Sequence, residues 1–197
     1  MDQIKPLFHA PLQIESAKGD RVWVSTLTRA VARSHAAELV RIHSLIPLVN
    51  WSEEDLLSDR IGEREFYHKW DLSLIVMRNP ADPVGFLVSY LRPADSNLGS
   101  ISVYMHRMAI IAVLQRRGIG RRIISEYLRR VFESVPVDYV TLQTNDTPEN
   151  IGLVEFYESL GFTKAKRVSY PEKVDWLMAC PRTIAENGPD LPTDAAT

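Results

Sequence analysis

Gln115-Arg116-Arg117-Gly118-Ile119-Gly120 stands between an apolar stretch, Ser100 to Ile111, and an amphipathic one that runs from Ile119 to Val131. Its two glycines let the backbone approach a ligand closely. A helix that starts there aims unpaired N–H groups and its positive dipole end at the occupant of the turn. The turn therefore reads as an anion site fitted to a phosphate, and Arg116, Arg117 and Arg121 add charge suited to a pyrophosphate or a ribose phosphate. A glycine turn of this kind also serves plain close packing, so its surroundings have to decide. The Walker pattern needs Gly-Lys-Ser/Thr, which is absent, and the third glycine of the dinucleotide fingerprint is replaced by Ile123. Two common nucleotide folds are thereby disfavoured.

Working outward, Ile119, Ile123, Ile124, Tyr127, Leu128 and Val131 recur at helical spacing, while Arg122, Glu126, Arg129 and Arg130 fill the opposite face. Upstream, Leu72 to Met77 and Val84 to Leu91 read as a hairpin around Asn79-Pro80-Ala81-Asp82-Pro83. Further back, Val22 to Leu27 reads as a strand, Ser34 to Leu45 as a helix ended by Pro47, and a second helix follows Ser52. Downstream, Asp138 to Thr144 is rich in β formers. Thr147-Pro148 opens another helix that Gly161 closes, and Phe162 to Ser169 with Val174 to Ala179 make a last hairpin. Strands and helices that alternate between flanking hairpins predict an α/β domain with a mixed sheet. Residues 1–20, with two prolines and no period, are expected to be an extension that drapes over the domain or stays mobile. The domain spans 21–181, and 182–197 is a tail expected to be disordered.

The 197 residues suit one domain, at 45% hydrophobic content, and show no internal repeat. A net charge of −2 and a pI near 6.2 provide no basic field to attract nucleic acid or an anionic membrane. The lone cysteine, Cys180, ends an apolar run and suits a buried strand in a reducing compartment. No stretch approaches the roughly 20 apolar residues of a membrane span, and Met1-Asp2-Gln3-Ile4-Lys5 lacks the start of a signal peptide. The expectation is a cytoplasmic protein with neither nucleic acid nor membrane as partner, and no metal site is expected.

The glycine turn resembles the acetyl-CoA signature of the GCN5-related N-acetyltransferase (GNAT) family, Gln/Arg-x-x-Gly-x-Gly/Ala, with every fixed position filled. Met108-Ala109-Ile110 stands where the family ends its fourth strand with Leu-Ala-Val. Asn150 followed by Phe156-Tyr157-Glu158-Ser159-Leu160-Gly161-Phe162 resembles the family's asparagine and Tyr-Glu-x-Leu-Gly-Phe. The match covers roughly residues 72 to 180 well and the first third only by pattern. It implies a mostly antiparallel sheet of six or seven strands, splayed between strands four and five, with about four flanking helices and the thioester in the gap. It departs from the family in Ala112, where proline is frequent, in Arg116, and in having no glutamate on the fourth strand.

Acetyl transfer to an amine needs a grip on the cofactor, a polarised carbonyl, a neutral amine and a proton for the leaving thiolate. The resemblance implies that the N–H groups from Gln115 to Gly120 hold the pyrophosphate of acetyl-CoA. The main chain around Ala109, at Met108 and Ile110, would pair with pantetheine and polarise the carbonyl, and Asn150 would contact pantetheine or else cap its own helix. Tyr157 takes the general-acid position; without the motif it would be read as core. For the base, His106 stands four residues before Ile110, where the serotonin N-acetyltransferase branch has a histidine, and Tyr104 shares its face by the strand period. A base titrating near neutrality and a plain structural histidine are both open readings of His106. Trp51, Glu53, Glu54 and Asp55 could receive a cationic amine, although Ser52 with Asp55 also spells a capping box. The expected reaction is direct transfer to a primary amine of a small molecule, with a protein lysine or N-terminus, or a sensor without turnover, as alternatives. Dimers are common in the family, so a homodimer is possible.

Overall fold

The computed structural model describes residues 4–44, 50–95 and 100–183. In chain order the elements are β1 (Leu12–Glu15), β2 (Arg21–Thr26), α1 (Arg29–Ser34), α2 (Ala36–His43), α3 (Glu53–Leu57), β3 (Arg60–Ile61), β4 (Arg64–Glu65) and α4 (Lys69–Leu72). There follow β5 (Leu74–Asn79), β6 (Asp82–Asp95), β7 (Ser100–Ile110), α5 (Ile119–Ser134), β8 (Tyr139–Asn145), α6 (Ile151–Glu158), β9 (Thr163–Tyr170) and β10 (Lys173–Pro181). Eight strands form one sheet in the order β1-β2-β5-β6-β7-β8-β10-β9, with β3 and β4 as a separate two-stranded hairpin. The expected six or seven strands fall one short, because β1 lies in the stretch whose prolines hid a period. Six α-helices occur among the described residues instead of about four.

Local chemistry explains most boundaries. The expected helix from Ser34 begins at Ala36 and is preceded by α1, which Thr28 caps by accepting from Val31 N–H; His35 separates the two. Leu45 and Pro47, the expected end, lie outside the described residues. Ser52 and Asp55 form a full capping box at the start of α3. Asn79 Oδ1 accepts from Ala81 N–H at 3.1 Å, which fixes the hairpin turn between β5 and β6. Gly161 takes φ +90 after α6, the left-handed end that a side chain would resist.

The sheet separates two cores. On one face the buried side of α5 packs Ile119, Ile123, Tyr127 and Val131 onto Leu87, Val103, Met105 and Val140. Leu7 and Phe8, from the amino-terminal stretch, are buried in that same core. On the other face α1, α2 and α3 bring Ala32, Leu39, Ile42 and Leu56, with Leu27 from the β2–α1 connection, onto Ile75, Phe86, Val88 and Ala109, and a small aromatic group of Phe66, Tyr90 and Tyr104 adjoins. No helix among the described residues is long and apolar enough to cross a membrane. At the carboxyl end, Arg182 donates to Val135 O and Val137 O; residues 184–197 of the expected tail lie outside the described residues.

One pairing decides the architecture. All neighbouring strands run antiparallel except β7 and β8, which pair in parallel only from Ser102–Tyr139 to Met105–Leu142. Beyond that register β7 continues to Ile110 bonded to β6 alone, and β8 continues to Asn145 bonded to β10 alone. The sheet is thus splayed between these two strands, as expected.

Candidate active site

The glycine turn sits at the open end of the splay. Gly118 adopts φ +79 and Arg116 φ +56, so the chain reverses twice within three residues. Arg122 N–H is the first in α5 to bond back, to Gly118 O, leaving the N–H groups of Ile119, Gly120 and Arg121 for a ligand. A Cβ on Gly120 would stand 3.8 Å from Ile110 Cδ1 and 3.9 Å from Phe156 Cζ, so the helix start is packed between the end of β7 and α6.

The three arginines separate. Arg117 Nη1 donates to both carboxylate oxygens of Asp20, at 3.0 and 2.8 Å, and holds that carboxyl below its usual range. Arg121 donates to Ser159 O and, at 2.7 Å, to Ser159 Oγ, with its guanidinium near the Phe156 ring. Both were expected to offer charge to a phosphate, and both are committed within the protein. Arg117 is taken by the β1–β2 turn, a partner 97 residues away that no local pattern reveals. Arg116 has no partner among the described residues.

The backbone of β7 is oriented for pairing into the gap. Ile111 N–H donates to Val84 O at 2.9 Å, and antiparallel pairs alternate in bonding, so Ala109 is bonded to Phe86 while Met108 and Ile110 turn their main-chain groups away from β6. Gln115 Nε2 reaches back to Ile110 O at 2.8 Å and ties the turn to the strand end. A Cβ on Gly85, opposite Ile110, would meet Ala109 O at 2.8 Å; only glycine fits there. Asn150 precedes α6 but its side chain makes no cap bond, so its amide stays available to a ligand. These free donors fit an extended, phosphate-ended group.

Tyr157 is nearly buried, edge-on to Phe156 and Phe162, and burial pushes its phenol up to about 12. It stays protonated through neutrality, as a proton donor must.

The opposite side of β7 carries the aromatic face. Met105 pairs with Ser89 and Arg107 with Val88, so β7 has a bulge in which His106 is the extra residue. The bulge turns His106 and Arg107 to the same face, and His106 packs 5.7 Å from Phe66, 5.6 Å from Tyr90 and 5.8 Å from Tyr104. Tyr104 and His106 do share a face. Burial, then the charges of Arg107, Arg92 and Lys69, lower the His106 pKa to about 3. That value lies well below the neutral range in which a base would titrate, and it favours the structural reading of this histidine. Burial likewise raises Tyr104 to about 12, and Arg92 Cζ lies 3.4 Å from its ring centroid.

A recess of about 20 Å³ over His106 is lined by Trp51, Asp55, Phe66, Lys69 and Val88 among others, and shares Ser58, Arg60 and Phe66 with a wider recess of about 440 Å³. Of the expected acceptor residues, Trp51 is present in this wall. Glu53 and Glu54 are exposed in the first turn of α3 and line neither recess, being placed by the helix dipole. Asp55 reaches the wall but is held by Ser52 N–H and Oγ, at 2.8 Å each.

Sequence reasoning missed three residues here. Lys69 is buried and donates to Leu56 O at 2.6 Å and Ser58 O at 2.5 Å, with its pKa lowered to about 8 by burial. His43 is fully buried 4.7 Å from Trp51, both ring nitrogens lack partners, and burial lowers it to about 4. Arg107, adjacent to His106, points to the same face only because of the bulge. Among the described residues no group of three or more His, Cys, Asp or Glu is placed to hold a metal ion.

An α/β sheet splayed beside a glycine turn at a helix start defines an acyl-CoA-type transferase architecture. Residues 36–162 match the model of the Acetyltransferase (GNAT) family, and the chain belongs to that family. It is therefore an acetyl-CoA-dependent N-acetyltransferase. No curated protein sequence is significantly similar. Among solved structures, it resembles the ribosomal-protein-S18-alanine N-acetyltransferase from Escherichia coli at 19% identity and TM-score 0.60, covering 86% of this chain and 98% of that one. Ard1 from Thermoplasma volcanium is similar at 15% identity and TM-score 0.62, covering 81% and 97%. Arabidopsis thaliana NAA60 in complex with acetyl-CoA is similar at 16% identity and TM-score 0.61, covering 81% and 99%. At these identities the likeness is one of fold.

Proposed function

We propose that the protein transfers the acetyl group of acetyl-CoA to a primary amine of a small molecule, by direct attack in a ternary complex. The observation that carries this reading is the aromatic recess over His106 beside a wider recess of about 440 Å³ that shares Ser58, Arg60 and Phe66 with it, a volume in the range of small-ligand sites. Acetyl-CoA supplies the activated thioester. The free N–H groups of α5 hold its pyrophosphate with Arg116, and the outward main chain of Met108 and Ile110 aligns the pantetheine arm, with Asn150 at its side. A main-chain N–H at the end of β7 polarises the carbonyl. Tyr157 gives its proton to the departing sulfur. His106 orients the acceptor within the aromatic face; the amine loses its proton to water on the way in, because an imidazole at about 3 does not take it. The single buried thiol of Cys180 supports a cytoplasmic setting.

The test is thiol release from acetyl-CoA across amines, amino acids, aminoglycosides, polyamines, lysine peptides and N-terminal peptides. Turnover of a small amine supports the reading, and turnover of peptides alone overturns it. That second outcome has its own motive, since the similar structures include one named for ribosomal protein S18 alanine and another described as the NatC complex bound to Gag peptide and CoA. Calorimetric binding of acetyl-CoA with no release on any amine would make the protein a sensor.

A further inference from the structure

The bulge in β7 turns Arg107 to the same face as His106, next to the recess walls and not in their lining, without a carboxylate to meet it. Its Nη1 donates to His106 O at 2.9 Å, its Nε is buried with no partner, and it joins none of the ion pairs among the described residues. Several other charges on this side are compensated, although Arg60, in the wall of both recesses, joins no ion pair among the described residues. Lys69 is met by two carbonyls at the end of α3, Arg29 pairs with Asp59 at 3.1 Å, and Asp55 is committed to Ser52. Arg107 also adds to the lowering of His43 and His106, second to burial in each, so neither histidine is a counter-charge to it. A partly buried guanidinium with a desolvated N–H is costly until an anion occupies it, and its fork suits a carboxylate or a phosphate.

We propose that Arg107 receives an anionic group of the acceptor, so that the substrate is a small amine bearing its own carboxylate or phosphate and not a polycation. The proposal rests on the small-molecule reading above and narrows it. It assigns Arg107 a specificity role, separate from the proton and cofactor chemistry.

Matched pairs test it: an amino acid against its methyl ester, phosphoethanolamine against ethanolamine, and spermidine as the polycation. Each is titrated by calorimetry into the CoA-loaded protein and assayed for thiol release with acetyl-CoA. The anionic member of at least one pair is expected to bind and react about ten- to a hundredfold better, with the preferred pair identifying carboxylate or phosphate. Arg107→Gln should remove that preference by raising KM with kcat nearly kept, Arg107→Lys should keep part of it, and both should bind acetyl-CoA as the parent does, which also certifies their fold. Equal use of both members, preference for spermidine, no binding of either member, or an equal loss on both members in Arg107→Gln overturns the proposal. If small neutral amines react, the small-molecule reading survives that failure; turnover of peptides alone overturns both.

Discussion

The two sides of β7 solve different problems. Toward the splay, the site is made of backbone: the α5 N–H groups, the outward main chain of Met108 and Ile110, and a turn with two left-handed residues. Toward α2 and α3 it is made of side chains, the buried His43 and Lys69 and the half-buried His106 and Arg107, whose charges act on one another. A backbone site tolerates changes of side chain but not of φ, and a side-chain site the reverse. The cofactor side should therefore respond to substitutions that alter conformation or the reacting proton, and the acceptor side to those that alter charge and to pH.

The largest expected effect is that of Tyr157→Phe. Loss of the phenolic proton should lower kcat by about 10²- to 10⁴-fold with the acetyl-CoA dissociation constant unchanged. Because burial holds this phenol near 12, the parent's rate should show no ionisation of Tyr157 between pH 6 and 9, and the two pH profiles should have the same shape there. Unchanged turnover in steady-state assays would remove Tyr157 from the chemistry and leave it as core.

The second sharpens the acceptor side. His43 titrates near 6.5 when unfolded and near 4 in the fold, so the native state binds fewer protons and stability, full above pH 6.5, falls as pH drops toward 4. The loss is on the order of 3 kcal/mol for His43. Urea unfolding at pH 7.5 and 4.5 should show this loss in the parent and a smaller one in His43→Leu, the difference removing the background of titrating carboxylates. Equal losses in both would mean that His43 is not held neutral.

These contrasts also explain what was legible in the sequence. The glycine turn, the amphipathic α5, the β5–β6 hairpin and the capping box at Ser52 are local signals, with partners within a few residues, and each was readable. So was the splay, through family resemblance. The bulge at His106 was not, since one extra residue against Ser89 and Val88 has no signature in β7 alone. Arg117 looked like a phosphate ligand because Asp20 is distant in sequence. Glu53 and Glu54 looked like amine receptors because a first-turn acid and a substrate-binding acid have the same composition. The depressed pKa of His106 depends on burial, on the adjacent Arg107 and on cations from two other segments, Arg92 and Lys69.

The third prediction returns to the backbone side. Gly118 has open space around it but sits at φ +79, so Gly118→Ala strains the turn without a clash. The left-handed conformation costs a residue with a Cβ about 1–2 kcal/mol, enough to weaken CoA binding about tenfold if the turn shifts to relieve it. Gly120→Ala, at ordinary φ and with its nearest contact at 3.8 Å, should bind CoA nearly as the parent does. Equal losses at the two positions by calorimetry would show that space, and not conformation, governs the turn.

The smallest effect is expected where the backbone side does contain a charge. Arg117 is tied to Asp20 by two bonds from one nitrogen, and both side chains are about a third exposed, so the pair adds little to stability. Asp20→Asn should leave the unfolding midpoint unchanged within error while freeing the guanidinium beside the turn. CoA affinity should then rise by about two- to threefold at low salt and return to the parent value near 0.5 M salt, because a freed surface cation acts through a screened field. A fall in affinity would mean that the pair positions the turn, making the β1–β2 connection part of the cofactor site and giving the backbone side a side-chain dependence of its own.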